Sequence, residues 1–398
     1  MTERLYYDQP YLTEFTAQVL ACRPRGEDFD VLLDRSAFYP TSGGQPYDTG
    51  VLGSARVIDV NVEGGEVWHT VTQPLAVGES VQGRIDWTRR FDHMQQHAGD
   101  HMIAGALHRL MGGVTIGLHI SDRVSTIDVA MPEGATRISE EALRRIEQDV
   151  NEHIQRDVPI RCWFPTPEEL PLLPLRKPPT VTEHVRVVAI GDDEMVACGG
   201  THPSSAGQLG LVKILSVAPA RGKMRVTFVA GQRALSDYAA CHDAAHGAAE
   251  LLSTGVEHLR DSVFAMQERL KAAEFELTRL RREQLLSQVQ GMLADAERLM
   301  DGTLLIACFV DADAALLRDV TSALIAQPGV IALLGAKAGD QAIYVFGRSA
   351  DAPLHMGTLL GNAARPLGGK GGGRPDFAQG GGCPEILEAA RLAVKASC

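Results

Sequence analysis

The chain has 398 residues, 45% of them hydrophobic, enough by length for roughly two to four cored domains. Its 38 basic and 50 acidic residues leave a formal charge of -12, which excludes a protein that coats nucleic acid indiscriminately, so any RNA partner would need a local basic surface. Seven scattered cysteines make no disulfide framework, the opening MTERLYYDQP lacks the regions of a signal peptide, and apolar runs such as Thr303 to Val310 are too short to span a bilayer. A reducing cytoplasm is expected, with no membrane partner.

Residues 1 to 88 carry short runs rich in Val, Ile, Tyr, Phe and Thr, such as DFDVLLDRSAF and SARVIDVNV, broken by Gly, Asp and Pro. Short strands at this spacing predict a small barrel or sandwich. Within them lies FYPTSGGQPYDTG, where Gly43 and Gly44 allow a tight turn or a close approach ahead of Gln45. A helix follows over Arg89 to Gly112, with Asp86 or Thr88 as its cap and Gly112 and Gly113 as its stop. It places His93, His97 and His101 four residues apart, on one face. His97 and His101 form HxxxH, a spacing that lets two imidazoles reach one ion. Cys198 and His202 form CxxxH within ACGGTH, and the two pairs together make four candidate zinc ligands.

Val114 to Val129 reads as a hairpin whose alternation groups Thr115, Gly117, His119 and Ser121, a set suited to a pocket wall. Ser139 to Asp157 is an amphipathic helix with a serine cap, and a Pro-rich passage with Arg176 and Lys177 follows it. From Leu235 to Met300 the pattern is helical. Leu252, Val256, Leu259, Val263, Met266, Leu270, Ala273, Leu277 and Leu280 alternate four and three apart, a coiled-coil seam that suits an internal hairpin and a dimer interface equally well. Cys241, His242 and His246 lack a companion pair and are read as structural. The last hundred residues alternate strands with helical segments, a compact α/β domain. They end in GGKGGGRPDFAQGGG, read as a loop whose exposed backbone N–H groups, beside Lys370 and Arg374, would receive phosphates or a nucleotide edge. No Ser or Thr follows Lys370, so this is not the phosphate-binding GxxxxGK[ST].

HMQQHAGDHM, FYPTSGGQ, TIGLHISD and ACGGTH resemble the editing domain of alanyl-tRNA synthetase and its free-standing AlaX relatives. GGKGGGRPDFAQGGG resembles the C-terminal C-Ala domain of the same synthetase, and a chain joining these parts resembles the long AlaX type. The architecture expected is an α+β multidomain chain: an N-terminal small β-barrel with the glycine motif (1–88), a zinc-containing α+β editing domain (89–232), a helical coiled-coil segment (233–300) and a C-Ala-like α/β tRNA-binding domain (301–398).

The resemblance implies a hydrolase that edits in trans, cleaving the ester of a wrong amino acid, serine and in some members glycine, from tRNA for alanine. An alanine pocket rejects an added hydroxyl only weakly, so a second site must remove the error. It implies one Zn²⁺ per chain on His97, His101, Cys198 and His202. It puts Gly43, Gly44 and Gln45 beside the substrate pocket, Thr115 against the serine hydroxyl, and Lys370 and Arg374 on tRNA. The helical segment would dimerise, DNA is not a partner, and no general base is assigned. The rival readings are a zinc hydrolase of a small ester or amide, and a non-catalytic zinc protein that binds tRNA. Four protein ligands describe a closed zinc site, whereas catalytic zinc keeps a position open, so one ligand would have to be displaceable.

Overall fold

A computed structural model describes residues 2–397. Its contacts divide the chain into Met1–Ala248 and Ala249–Cys398, and the architecture is mixed α+β. No helix among the described residues is long and apolar enough to cross a membrane.

In the first unit, six strands close into a barrel in the order Glu14–Arg25, Asp28–Leu33, Glu66–Val71, Ala55–Glu63, Gly50–Leu52 and Ser80–Ile85. Alternation sends Phe15, Ala17 and Val19 inward, with Val31, Leu33, Val57, Val67 and Val81. The barrel's last strand runs into helix α1, Trp87–Met111, where the Asp86 carboxylate accepts the backbone N–H of Arg89 at 3.2 Å. The helix ends at Gly112, whose φ of 68° is the left-handed conformation glycine adopts without strain.

Helix α1 is buried on most sides rather than along one stripe. Met102, Ile103, Ala106 and Leu107 pack with Ile127, Val129, Val226 and Phe228 of a four-stranded sheet and with Ile146, Val150 and Ile154 of helix α2, Glu140–Gln155. Such enclosure requires small residues at the crossings. A Cβ at Gly99 would lie 3.2 Å from the Phe228 ring, and one at Gly105 would lie 2.6 Å from the Glu194 carboxylate. Barrel and helix are also joined by a fully buried ion pair between Arg90 and Asp48, in which Arg90 Nε donates at 2.9 Å. Removing either partner of such a pair costs about 3–5 kcal/mol, because an unpaired charge stays buried. A three-stranded sheet (Ile160–Trp163, Val187–Ile190, Glu194–Ala197) leads directly into the CxxxH segment.

The helical region departs from a continuous seam. Helix α3 (Gln232–Leu251) stops before Leu252, Ser253 sits at φ 51°, and Val256 lies in a short 3₁₀ turn. The seam therefore survives only along α4, Leu259–Ser287, in which no side chain is buried. Helix α5, Val289–Ala294, follows it.

In the second unit a six-stranded sheet is covered on both faces. Val330, Ala332 and Leu334 pack under helix α6 (Ala314–Ile325), whereas Ile331 and Leu333 of the same strand pack under helices α7 (Met356–Ala364) and α8 (Glu385–Lys395). The glycine-rich ending is not a loop. Lys370–Gly373 and Phe377–Gly382 form an antiparallel hairpin at the sheet's edge, so much of its backbone is spent on strand pairing. Its glycines serve close packing: a Cβ at Gly357 of α7 would lie 2.3 Å from the Gly373 carbonyl oxygen, and one at Gly371 would lie 2.6 Å from Leu360. Lys370 and Arg374 remain exposed on this hairpin.

Candidate metal centre

His97 and His101 project from α1 one turn apart, their rings stacked at 5.1 Å. The segment Cys198–His202 folds against them because Arg186 clasps it: the guanidinium donates to the carbonyls of Cys198 (3.2 Å) and Gly200 (2.8 Å), and Cys198 N donates to the Arg186 carbonyl at 2.9 Å. Gly200 lets the segment come this close, since a Cβ there would lie 2.2 Å from His97 Cε1.

The ligand atoms of His97, His101, Cys198 and His202 all fall within 4.8 Å of one another. Cys198 Sγ is 3.3 Å from His97 Nε2 and 3.5 Å from His202 Nε2. Zinc bonds of roughly 2.0–2.3 Å in a tetrahedron separate neighbouring donors by roughly 3.4–3.7 Å, so the donor set fits zinc in chemistry, and the separations of Cys198 from His97 and His202 match that spacing. Both ring nitrogens of His101, and Nδ1 of His202, are buried without a hydrogen-bond partner among the described residues, which is what a ligand set awaiting a cation leaves behind. Burial pushes His97 down to about 3 and holds His101 and His202 well below their ordinary value, keeping all three imidazoles in the neutral, ligating form. Burial also pushes the Cys198 thiol up to about 11, so a cation would have to displace its proton.

The remaining sequence-derived residues separate. Gln45 is fully buried; its side-chain carbonyl lies 2.8 Å from His97 Nδ1, and its amide nitrogen donates to Thr201 Oγ1 at 2.8 Å. Gly43 and Gly44 occupy the turn before it at φ 58° and 85°, and a Cβ at Gly44 would lie 2.3 Å from the Leu118 carbonyl oxygen. Thr115 lies further along that strand, where its hydroxyl accepts from Arg176 at 2.9 Å. Arg176 in turn pairs with the buried Glu194 at 2.8 Å. The alternation expected along the strand fails, for Thr115 is buried while Gly117 and His119 are exposed. Asp100 stands beside the site, its Oδ2 4.0 Å from His101 Nδ1, and burial pushes its carboxyl up to about 7. Lys370 and Arg374 belong to the second unit. The sequence reading did not find Arg186 or Thr201. Thr201 lay within ACGGTH and so was open to notice, whereas nothing local marks Arg186, twelve residues before Cys198.

Three family models match the chain: tRNA synthetases class II (A) over 7–89, Threonyl and Alanyl tRNA synthetase second additional domain over 185–227, and DHHA1 domain over 301–398. An alanine–tRNA ligase of Haloquadratum walsbyi is 32% identical over 391 residues, covering 96% of this chain and 42% of the ligase. That of Pyrococcus abyssi is 33% identical over 395 residues, with 95% and 42% covered. The alanyl-tRNA editing protein AlaX-L of Pyrococcus horikoshii is 30% identical over 395 residues, covering 96% of this chain and 94% of that protein. The chain thus spans less than half the length of the ligases it matches and nearly all of the editing protein.

Proposed function

The chain belongs to the alanyl-tRNA editing protein family, and from that premise we propose that it is a trans-editing hydrolase that deacylates Ser-tRNA(Ala), and also Gly-tRNA(Ala), at a zinc site formed by His97, His101, Cys198 and His202. The observation that carries this reading is the convergence of those four donors within 4.8 Å on the enclosed face of α1. Zinc bound there would supply Lewis acidity, either holding the substrate's amino group or polarising a water.

The chain's own residues do the positioning. Arg186 holds the Cys198–Gly200 carbonyls so that the thiol and His202 meet the two histidines of α1. The low-dielectric surroundings that keep the imidazoles neutral also strengthen any charge contact made by a bound ester. The Gly43–Gly44 turn, packed on Leu118, is assigned to one wall of the substrate pocket. Thr115, bonded to Arg176, presents its hydroxyl hydrogen to a serine side chain under this reading. The domain assignments follow: a barrel with the glycine motif (1–88), the editing domain (89–232), a helical segment that pairs two copies (233–300), and a tRNA-binding domain (301–398) whose exposed Lys370 and Arg374 meet the nucleic acid. The cytoplasm is the compartment in which its substrate tRNA would be met.

Incubation with Ser-tRNA and Ala-tRNA for alanine, with and without chelator, tests the reading. Free serine should appear, Ala-tRNA should survive, and chelator should abolish the reaction. His97→Ala should lose zinc and at least about a hundredfold in rate, the upper end of what removing even an outer-shell partner of a metal ligand costs. Unchanged Ser-tRNA rejects the editing function, and full activity in His97→Ala rejects the metal assignment.

A further inference from the structure

We propose that Gln45 is the positioning residue of the metal centre: its side-chain carbonyl holds His97 in the tautomer that ligates through Nε2, and its amide ties that histidine to the CxxxH segment. The inference rests on the zinc reading above. Gln45 Oε1 faces the backbone N–H of Thr201 at 3.2 Å as well as His97 Nδ1 at 2.8 Å. A backbone N–H only donates, so the atom facing it is the amide oxygen, and the orientation of the glutamine is thereby determined. That oxygen only accepts, so His97 Nδ1 carries the proton. Nε2 is left with its lone pair, and Nε2 is the nitrogen 3.3 Å from Cys198 Sγ.

The other half of the amide completes the bridge. Gln45 Nε2 donates to the Thr201 hydroxyl at 2.8 Å, one residue before His202. One side chain from the Ser42–Gln45 turn therefore spans both halves of the ligand set, α1 and the Cys198–His202 segment. Among the described residues neither of the other two histidine ligands has such a partner, while Cys198 Sγ accepts from the Gly200 N–H at 3.3 Å. Nδ1 of His101 and Nδ1 of His202 are unbonded among the described residues, so of the three histidines His97 is the one whose distal nitrogen is oriented by a hydrogen bond before a cation arrives. A hydrogen bond to the distal nitrogen of a ligating histidine fixes ring orientation and raises its basicity, and losing it weakens metal binding roughly 10–100-fold.

The test uses the full chain, with zinc affinity measured by chelator competition and ligand geometry by the absorption of the cobalt-substituted protein. Gln45→Leu keeps the size and removes both bonds, and should weaken zinc at least tenfold with a shifted cobalt spectrum. Gln45→Glu keeps an acceptor for His97 and for the Thr201 N–H, while the Thr201 hydroxyl can turn to donate. It should stay within tenfold of the parent with the parent's spectrum. A leucine variant that binds zinc within tenfold of the parent, or a glutamate variant that loses more than tenfold, overturns the positioning role. Gln45→Met takes the place of the leucine variant, with the same outcomes, should that one not fold. A parent chain that takes up no zinc overturns the zinc reading itself, a result separate from the ranking of the variants.

Discussion

Burial decides the chemistry of the individual histidines, and His69 shows it away from any metal. It is fully enclosed in the barrel, with Nδ1 donating to the Val31 carbonyl at 3.1 Å and Nε2 2.7 Å from the Ser36 hydroxyl, which donates to it. Burial pushes it from 6.5 to about 4. Between those values the unfolded chain carries a proton there that the folded chain does not, so stability is complete above pH 6.5 and falls as the pH drops. The loss reaches about 3 kcal/mol near pH 4 and then levels off. Hydrogen exchange of the barrel amides should show the stability gap between the parent and His69→Gln narrowing by about 2 kcal/mol between pH 7.5 and pH 5. A gap that stays constant with pH would contradict the depressed value. At this scale the residue types of the metal site were legible, since HxxxH and CxxxH are local spacings. The role of Gln45 was not, because its partners His97 and Thr201 lie 52 and 156 residues away.

Among the elements, α4 is the one whose sequence pattern and surroundings disagree. Val263, Met266, Leu270, Leu277 and Leu280 repeat at coiled-coil spacing and all are exposed in the single chain. Burying a leucine side chain is worth roughly 1.5–3 kcal/mol, so a second copy laid along this seam would recover a substantial free energy. Light scattering should report twice the mass of one chain. Leu270→Glu, which places a charge on the apolar seam of each copy, should weaken association more than about a hundredfold, equivalent to about 3 kcal/mol. A monomeric parent would leave the seam to another partner. The periodicity of α4 was readable from its side chains alone, but the stop at Leu251 and the turn at Val256 were not, because the apolar spacing runs through both.

For the whole molecule, the division after Ala248 separates the metal centre from the glycine hairpin that carries Lys370 and Arg374. If the first unit holds the chemistry and the second grips the nucleic acid, a chain ending at Met300 should bind tRNA more weakly, by at least tenfold. At saturating tRNA it should cleave the ester at close to the parent rate. Raising the salt should narrow the difference in binding, because phosphate contacts are the part of the affinity that salt removes. Equal binding by the two chains would assign the second unit another task.

The sequence by itself determined the candidate ligand types, the stop of α1 at Gly112, the change of character near residue 300 and the family resemblance. All of these rest on caps, periods and spacings within a few residues. Only the tertiary structure decided what the donors and glycines do. It showed the Arg186 clasp, the hydrogen bond from Arg176 to Thr115, the use of the C-terminal glycines for strand pairing against α7, and the Gln45 bridge between His97 and Thr201. Hydrogen bonds and close approaches between distant segments depend on three-dimensional placement, and no local pattern encodes it.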